Sequence, residues 1–173
     1  MKKNIVLLFT LLTGIFALAQ QKQENLKILW PEEYQWKIGS NQEDAQVHFV
    51  ELIPGRESID NWTMLGTMMS LKGVKVAATS QIADLYRQSS STESPDAKLT
   101  ILESDDKAKH PWIMFKVETP RFPNDTTPES QLYYAVQGES SLFVNFIAVK
   151  EKTISKSFIE KWTKVFKSSE VVY

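Results

Sequence analysis

The stretch QLYYAVQGESSLFVNFIAV, residues 131–149, decides the fold expected for this chain. Residues 132–136 and 142–149 are rich in aromatic and β-branched side chains, which predicts two strands. Between them, the run GES at residues 138–140 is typical of a tight turn. A link this short joins antiparallel neighbours, so the stretch predicts a β-hairpin.

Two further strands are predicted upstream of this hairpin, at residues 99–103 and 112–118. The second is apolar on both faces over most of its length, which is typical of a strand in the middle of a sheet. Downstream of the hairpin, Ser155 predicts the start of a closing helix. On this helix we expect Trp162 to be a core residue packed against the sheet. Its predicted apolar face consists of Phe158, Ile159, Trp162, Val165 and Phe166.

Residues 119–130, TPRFPNDTTPES, contain three prolines and no periodicity, and they predict a long loop. Loops of this length are uncommon in compact domains and often carry function. Pro120 and Pro123 restrict the backbone around Arg121 and Phe122, and arginine and aromatic side chains are common anchors of binding surfaces. We therefore predict Arg121 and Phe122 as candidate binding residues. The alternative is a plain connector made rigid by its prolines.

Toward the N-terminus, the sequence predicts a second hairpin. Tyr34, Trp36 and Ile38 alternate with polar residues, which is the pattern of a half-buried strand. A polar turn at residues 40–45 then leads to a second strand at residues 47–53.

Two helices are predicted after this hairpin. In ESIDNWTML, residues 57–65, Ser58 is a helix cap and Gly73 a natural terminator. Trp62 lies on the buried stripe of this helix, so we expect it to be a structural core residue. The stripe contains Ile59, Trp62, Leu65 and Met69. A second helix is predicted at residues 77–88, with Ile82, Leu85 and Tyr86 facing inward.

In order, these elements predict an α+β fold, β-β-α-α-β-β-β-β-α, with an antiparallel sheet of about six strands flanked by helices. This order, the early helix with Asn61-Trp62-Thr63 and the closing segment FIEKWTKVF resemble the PsbP/Mog1-like group of α/β/α sandwiches, in particular small exported bacterial members without assigned function. The resemblance covers nearly all of residues 20–173 and implies one PsbP/Mog1-like domain. Better-known members of the group are non-catalytic, so it also implies a non-catalytic protein. No partner-binding motif of those members matches this chain.

Residues 1–19 predict a signal peptide. Lys2 and Lys3 give it a positive start, an uncharged apolar run follows, and Ala17-Leu18-Ala19 fits a cleavage site. The apolar run is shorter than a membrane-spanning helix needs to be. We expect cleavage after Ala19 and a periplasmic or secreted protein with no membrane span after signal removal. The alternative is a retained N-terminal anchor.

Composition excludes several classes of site and partner. The chain has no cysteine, so disulfides, cysteine nucleophiles and zinc–thiolate sites are impossible. The formal net charge is −1 at pH 7 and becomes more negative when Lys2 and Lys3 leave with the signal peptide, which argues against a nucleic-acid partner. Because the chain has no glycine-rich phosphate loop and no dinucleotide motif, we predict no cofactor.

The chain has two histidines, His48 and His110, and neither has a neighbour at metal-ligand spacing. The acidic run Glu103, Asp105 and Asp106 predicts a solvated turn. We therefore predict no catalytic, cofactor-binding or metal-binding residues. The leading hypothesis is an exported non-catalytic domain that binds an envelope protein or a small ligand. The alternative is a periplasmic hydrolase-type enzyme whose site is assembled from distant residues, including the two histidines and the acids.

Overall fold

The computed structural model describes residues 23–173, so the predicted signal peptide and its cleavage site lie outside the described residues. Within this range, seven strands form one antiparallel sheet in the order β2-β3-β4-β8-β7-β6-β5, and β1 pairs separately with β9. The strands are β1 (Asn25–Lys27), β2 (Lys37–Glu43), β3 (Val47–Ile53), β4 (Met64–Lys72), β5 (Lys98–Asp105), β6 (Trp112–Thr119), β7 (Glu129–Gln137), β8 (Ser141–Val149) and β9 (Glu170–Val172). The helices are α1 (Ser80–Glu93), α2 (Lys156–Lys167) and a 3-10 turn (Glu32–Tyr34).

This architecture shows that the predicted fold class is wrong. The described chain is mostly β, with a seven-stranded and a two-stranded sheet and two α-helices, in place of an α/β/α sandwich with about six strands and three helices. The sheet consists of two antiparallel meanders, β2-β3-β4 and β5-β6-β7-β8, joined where β4 pairs with β8. Helix α1 crosses from one meander to the other.

The largest error is the first predicted helix, where the structure has a turn followed by β4. The Glu57 carboxylate accepts a hydrogen bond from the backbone N–H of Thr63 at 2.7 Å and fixes the turn. Strand β4 then lies between β3 and β8 and packs into a core on each face, so its apolar side chains do not alternate with polar ones. For this reason the spacing of apolar residues in this segment also fitted the apolar stripe of a helix.

Trp62 therefore lies on no helix. Its half-buried ring packs against a small cluster of Ile53, Leu65 and Ala148, and the Lys150 ammonium lies 4.0 Å from the ring centroid. The partial burial makes Trp62 a peripheral packing residue and not the anchor of a helix.

Several other elements lie close to their predicted positions. The first strand of the N-terminal hairpin does not, because Tyr34 and Trp36 precede β2, and β2 includes most of the turn predicted at residues 40–45. The hairpin of residues 131–149 corresponds to β7 and β8. Helix α2 follows Ser155, whose hydroxyl accepts a hydrogen bond from the backbone N–H of Phe158 at 3.2 Å. Two inward-facing assignments are wrong, since Leu85 on α1 is 65% exposed and Ile38 on the edge strand β2 is 62% exposed.

Each helix covers one face of the sheet. Alternate residues of the central strands contribute to two separate cores, one beneath α2 and one beneath α1. Trp162 of α2 is fully buried in the first core, where its ring centroid lies 5.5 Å from that of Trp30. Ile82 and Ala83 of α1 are buried in the second core. No helix within residues 23–173 is long and apolar enough to cross a membrane.

Candidate ligand-binding pocket

Arg121 and Phe122, which were predicted as candidate binding residues of one loop, have different surroundings in the structure. Arg121 is mostly exposed and pairs with the Asp96 carboxylate at 2.7 Å, while its carbonyl oxygen accepts a hydrogen bond from the Ser94 hydroxyl at 2.8 Å. These contacts tie the loop between β6 and β7 to the segment that follows α1. Phe122 instead is half-buried and lines a pocket between α1 and the sheet.

The pocket takes its walls from three elements and its edge from this loop. It has a volume of about 270 Å³. Alternation along a strand directs every second residue to the α1 face, and the helical repeat of α1 directs residues three or four apart toward the sheet. The lining residues are Tyr86, Ser89, Ser90 and Glu93 of α1, Val117 and Thr119 of β6, Glu129, Gln131 and Tyr133 of β7, and Phe122.

Two tyrosines form the inner end of the pocket. The Tyr133 ring stacks on Phe115 at 4.7 Å and contacts the Tyr86 ring at 4.6 Å, and Tyr133 is only 4% exposed. Burial raises the pKa of Tyr86 to about 12. Burial, followed by the nearby Tyr86 and the carboxylates of Glu129 and Glu93, raises the pKa of Tyr133 well above its ordinary value. Both phenols are therefore protonated and neutral at physiological pH.

A short hydrogen-bonded chain runs along β7 from the inner end toward solvent. The Tyr133 hydroxyl donates to the side-chain oxygen of Gln131, whose amide nitrogen donates to the Glu129 carboxylate at 2.6 Å. The Lys150 ammonium lies 3.5 Å from the second oxygen of Glu129. This chain fixes the Gln131 amide and leaves an oxygen lone pair of the Tyr133 phenol free to accept a further hydrogen bond.

The second carboxylate, Glu93, lies on the opposite wall near the C-terminal end of α1. It accepts a hydrogen bond from the Ser89 hydroxyl at 3.2 Å. Among residues 23–173, no lysine or arginine forms an ion pair with Glu93, and no basic residue lines the pocket. The lining is therefore aromatic and polar, with two carboxylates.

A larger hollow of about 750 Å³ lies at the turn between β7 and β8. The backbone N–H donors of this turn already bind the Glu24 carboxylate. The Glu24 carboxylate accepts hydrogen bonds from the backbone N–H groups of Glu139, Ser140 and Ser141 and from the Ser140 hydroxyl, at 2.6–3.0 Å. This contact attaches the N-terminal end of the described chain to the sheet. We therefore assign it a structural role.

The histidines form no common site. His48 lies on β3, where its ring nitrogen is 3.0 Å from the side-chain oxygen of Asn41. His110 precedes β6, four strand positions away in the sheet order, or about 19 Å at the usual strand spacing. Asp105 accepts a hydrogen bond from the backbone N–H of Lys107 within its own turn, and Asp106 accepts one from the backbone N–H of Thr79, which precedes α1. Within residues 23–173, no group of three or more histidine and acidic side chains is placed to hold a metal ion.

Of the residues that line the pocket, the sequence predicted only Phe122 as a candidate binding residue. The missed residues follow two local patterns, namely polar side chains at alternate positions in an otherwise apolar strand, and a tyrosine, two serines and a glutamate that follow the helical repeat. Neither pattern shows that the two segments face each other, because β7 and α1 are distant in the chain. No protein-family model and no curated protein matches this chain, so the assignment of the pocket depends on its geometry.

Proposed function

We propose that this protein is an exported, non-catalytic domain that binds a small ligand in the pocket between α1 and the sheet. One observation carries the proposal: Phe122, from the loop that the sequence marks as a binding segment, lines the same pocket as the buried Tyr133. The walls belong to a helix and two central strands. A rigid wall with a loop at its edge is a common arrangement for ligand sites.

The chemistry of the lining supports binding over catalysis. A general base or nucleophile must lose its proton near neutral pH, whereas a phenol is protonated there and burial raises the pKa values of Tyr86 and Tyr133 further. Both serines lack a histidine partner in the lining. A hydrolase site that contains both histidines is also disfavoured, because His48 and His110 lie far apart in the sheet.

The size of the pocket favours a small molecule over a protein partner. Drug-sized ligands occupy pockets of roughly 300–1,000 Å³, and this pocket is slightly smaller at about 270 Å³. Arg121 then has a supporting role, since its ion pair with Asp96 positions the loop that carries Phe122. Membership of the PsbP/Mog1-like group stays a prediction from the sequence resemblance.

A fragment screen by protein-observed NMR tests the binding function. We expect hits that shift the backbone resonances of Tyr86, Phe122 and Gln131 together. Phe122→Ala should weaken such hits about tenfold, which corresponds to about 1.4 kcal/mol, with little change in melting temperature. Arg121→Ala is the matched control in the same loop and should weaken them less. If no fragment reaches these residues, or if Phe122→Ala binds as well as the parent, the pocket is not the binding site.

Export is tested separately. Intact-mass analysis of the envelope fraction should show a mature chain that begins at Gln20. A main species that retains Met1, or one that fractionates with the cytoplasm, would contradict the proposed localisation and leave the binding site unaffected.

A further inference from the structure

We propose that the ligand of this pocket is a small organic cation that carries an ammonium group. The inference rests on the proposed binding function and adds the class of ligand. Three features of the pocket support it: one carboxylate each from α1 and β7, aromatic side chains in the same lining, and oxygen atoms that can accept hydrogen bonds.

The charge of the lining is one-sided. Glu93 and Glu129 are the charged lining residues, on α1 and β7 respectively. The Lys150 ammonium lies 3.5 Å from Glu129 and offsets much of its charge, although Lys150 is not itself part of the lining. In the part of the chain that the structure describes, Glu93 forms no ion pair with a lysine or arginine, so it is available to a ligand.

The aromatic side chains suit the same class of ligand. Phe122 at the edge and Tyr86 on α1 line one small space, whereas the Tyr133 ring is stacked on Phe115 and contributes its hydroxyl. The faces of such rings attract cations, and recognition of ammonium groups by aromatic side chains next to acids is a common use of this attraction. An anion would instead meet two carboxylates without a lysine or arginine in the lining, which makes it the wrong charge for this pocket.

The hydrogen-bonding groups allow a donor ligand. The Tyr133 hydroxyl already donates to Gln131, and the Gln131 amide already donates to Glu129. The remaining lone pairs of the Tyr133 phenol and of the carboxylates can accept from a ligand, and the hydroxyls of Tyr86 and Thr119 in the same lining can either accept or donate. A primary ammonium supplies three N–H donors to such a surface, and a methylated ammonium supplies its charge alone.

Paired probes that differ in charge and not in shape test this inference. Choline and its neutral isostere 3,3-dimethylbutan-1-ol form one pair, and n-butylammonium and 1-butanol form the other. Each would be titrated into the ¹⁵N-labelled mature chain and followed by NMR at Tyr86, Phe122 and Gln131. We expect at least one ammonium probe to bind about tenfold more tightly than its isostere, and its affinity to fall as the salt concentration rises.

Glu93→Gln supplies the charge test within the protein. Glu93 is exposed, so removing its charge should leave the fold intact, and we expect the ammonium affinity to fall about fivefold with the isostere unaffected. Glu160→Gln is the matched control, because Glu160 is an exposed helical glutamate on α2, which packs on the opposite face of the sheet. It should change neither affinity.

The outcomes separate the two proposals. If neutral fragments occupy the pocket and each ammonium probe binds no better than its isostere, the ligand class is wrong and the binding function stands. If neither fragments nor any probe shifts the pocket resonances, both proposals are overturned. If ammonium probes bind but Glu93→Gln and Glu160→Gln weaken them equally, the attraction is a general effect of net charge and the inference fails.

Discussion

Glu24 offers the sharpest test of how this fold holds its N-terminal segment. Glu24 is 5% exposed, and its carboxylate accepts hydrogen bonds from three consecutive backbone N–H groups of the turn between β7 and β8 and a fourth from the Ser140 hydroxyl. We predict that Glu24→Ala destabilises the protein, because it removes the common acceptor of all four donors.

The magnitude follows from the number of donors that lose their partner. A net hydrogen bond contributes about 1 kcal/mol, and one to a charged group about 1.5–3 kcal/mol. The open hollow beside the turn lets water reach some of the exposed N–H groups after truncation, which lowers the cost. We therefore expect Glu24→Ala to cost about 2–4 kcal/mol, a large share of a typical total of about 5–15 kcal/mol.

The dependence on pH separates the charge of Glu24 from its packing. Burial alone would raise the pKa of this carboxyl, but the hydrogen bonds from Ser140, Glu139 and Ser141 outweigh burial and lower it below the ordinary value. A carboxyl whose pKa is lower in the folded state stabilises the protein fully above its unfolded pKa, and this contribution disappears as the pH falls through the folded pKa. Glu24→Gln keeps the shape and one acceptor oxygen, so it isolates this contribution.

The assay is urea denaturation of the parent, Glu24→Ala and Glu24→Gln from about pH 3 to pH 7. Glu24→Gln should be less stable than the parent by about 1–2 kcal/mol near neutral pH, and the difference should shrink below the ordinary glutamate pKa of 4.5. Glu32→Gln, which removes an exposed charge nearby in sequence, should have little effect. A parent–Gln difference that stays constant down to pH 3 would refute the claim that the ionised carboxylate stabilises the turn.

Two further predictions concern the packing of aromatic side chains. A Cβ atom on Gly66 would lie 2.5 Å from the Trp30 ring, which is held among other aromatic rings. Gly66→Ala should therefore cost about 1–3 kcal/mol in urea denaturation. Ser70→Ala on the same strand is the control, and equal stability of the two variants would mean that Trp30 moves freely. Trp162→Ala should cost about 3–5 kcal/mol because the side chain is fully buried. Trp62→Ala should cost about 1.5–3 kcal/mol because its ring is half-buried. The reverse order would contradict the assignment of Trp162 to a core and of Trp62 to a peripheral cluster.

The sequence by itself determined those elements whose signals are local. A short turn between two apolar runs specifies an antiparallel pair, so β7 and β8 could be predicted from residues 131–149. A serine cap followed by an apolar face at the helical repeat located α2 in the same way. The prolines also marked the loop that carries Phe122.

Tertiary structure decided the identity of β4. A strand with one face in a core and the other in water shows alternation, but β4 packs into a core on both faces. Its sequence consequently lacks the period of two that identifies a strand, and its apolar spacing fits a helix equally well. Only the partners on either side resolve this ambiguity, and they lie elsewhere in the chain.

The candidate pocket was also decided by tertiary structure. Glu93 and Glu129 are 36 positions apart in the chain, and nothing local to either predicts the other. They line one pocket because α1 packs across β6 and β7, where alternate strand residues and one helical face meet. Local spacing specifies which residues share a face of their own element. Which faces meet depends on the sheet order, which is set by long-range pairing and the burial of apolar surface.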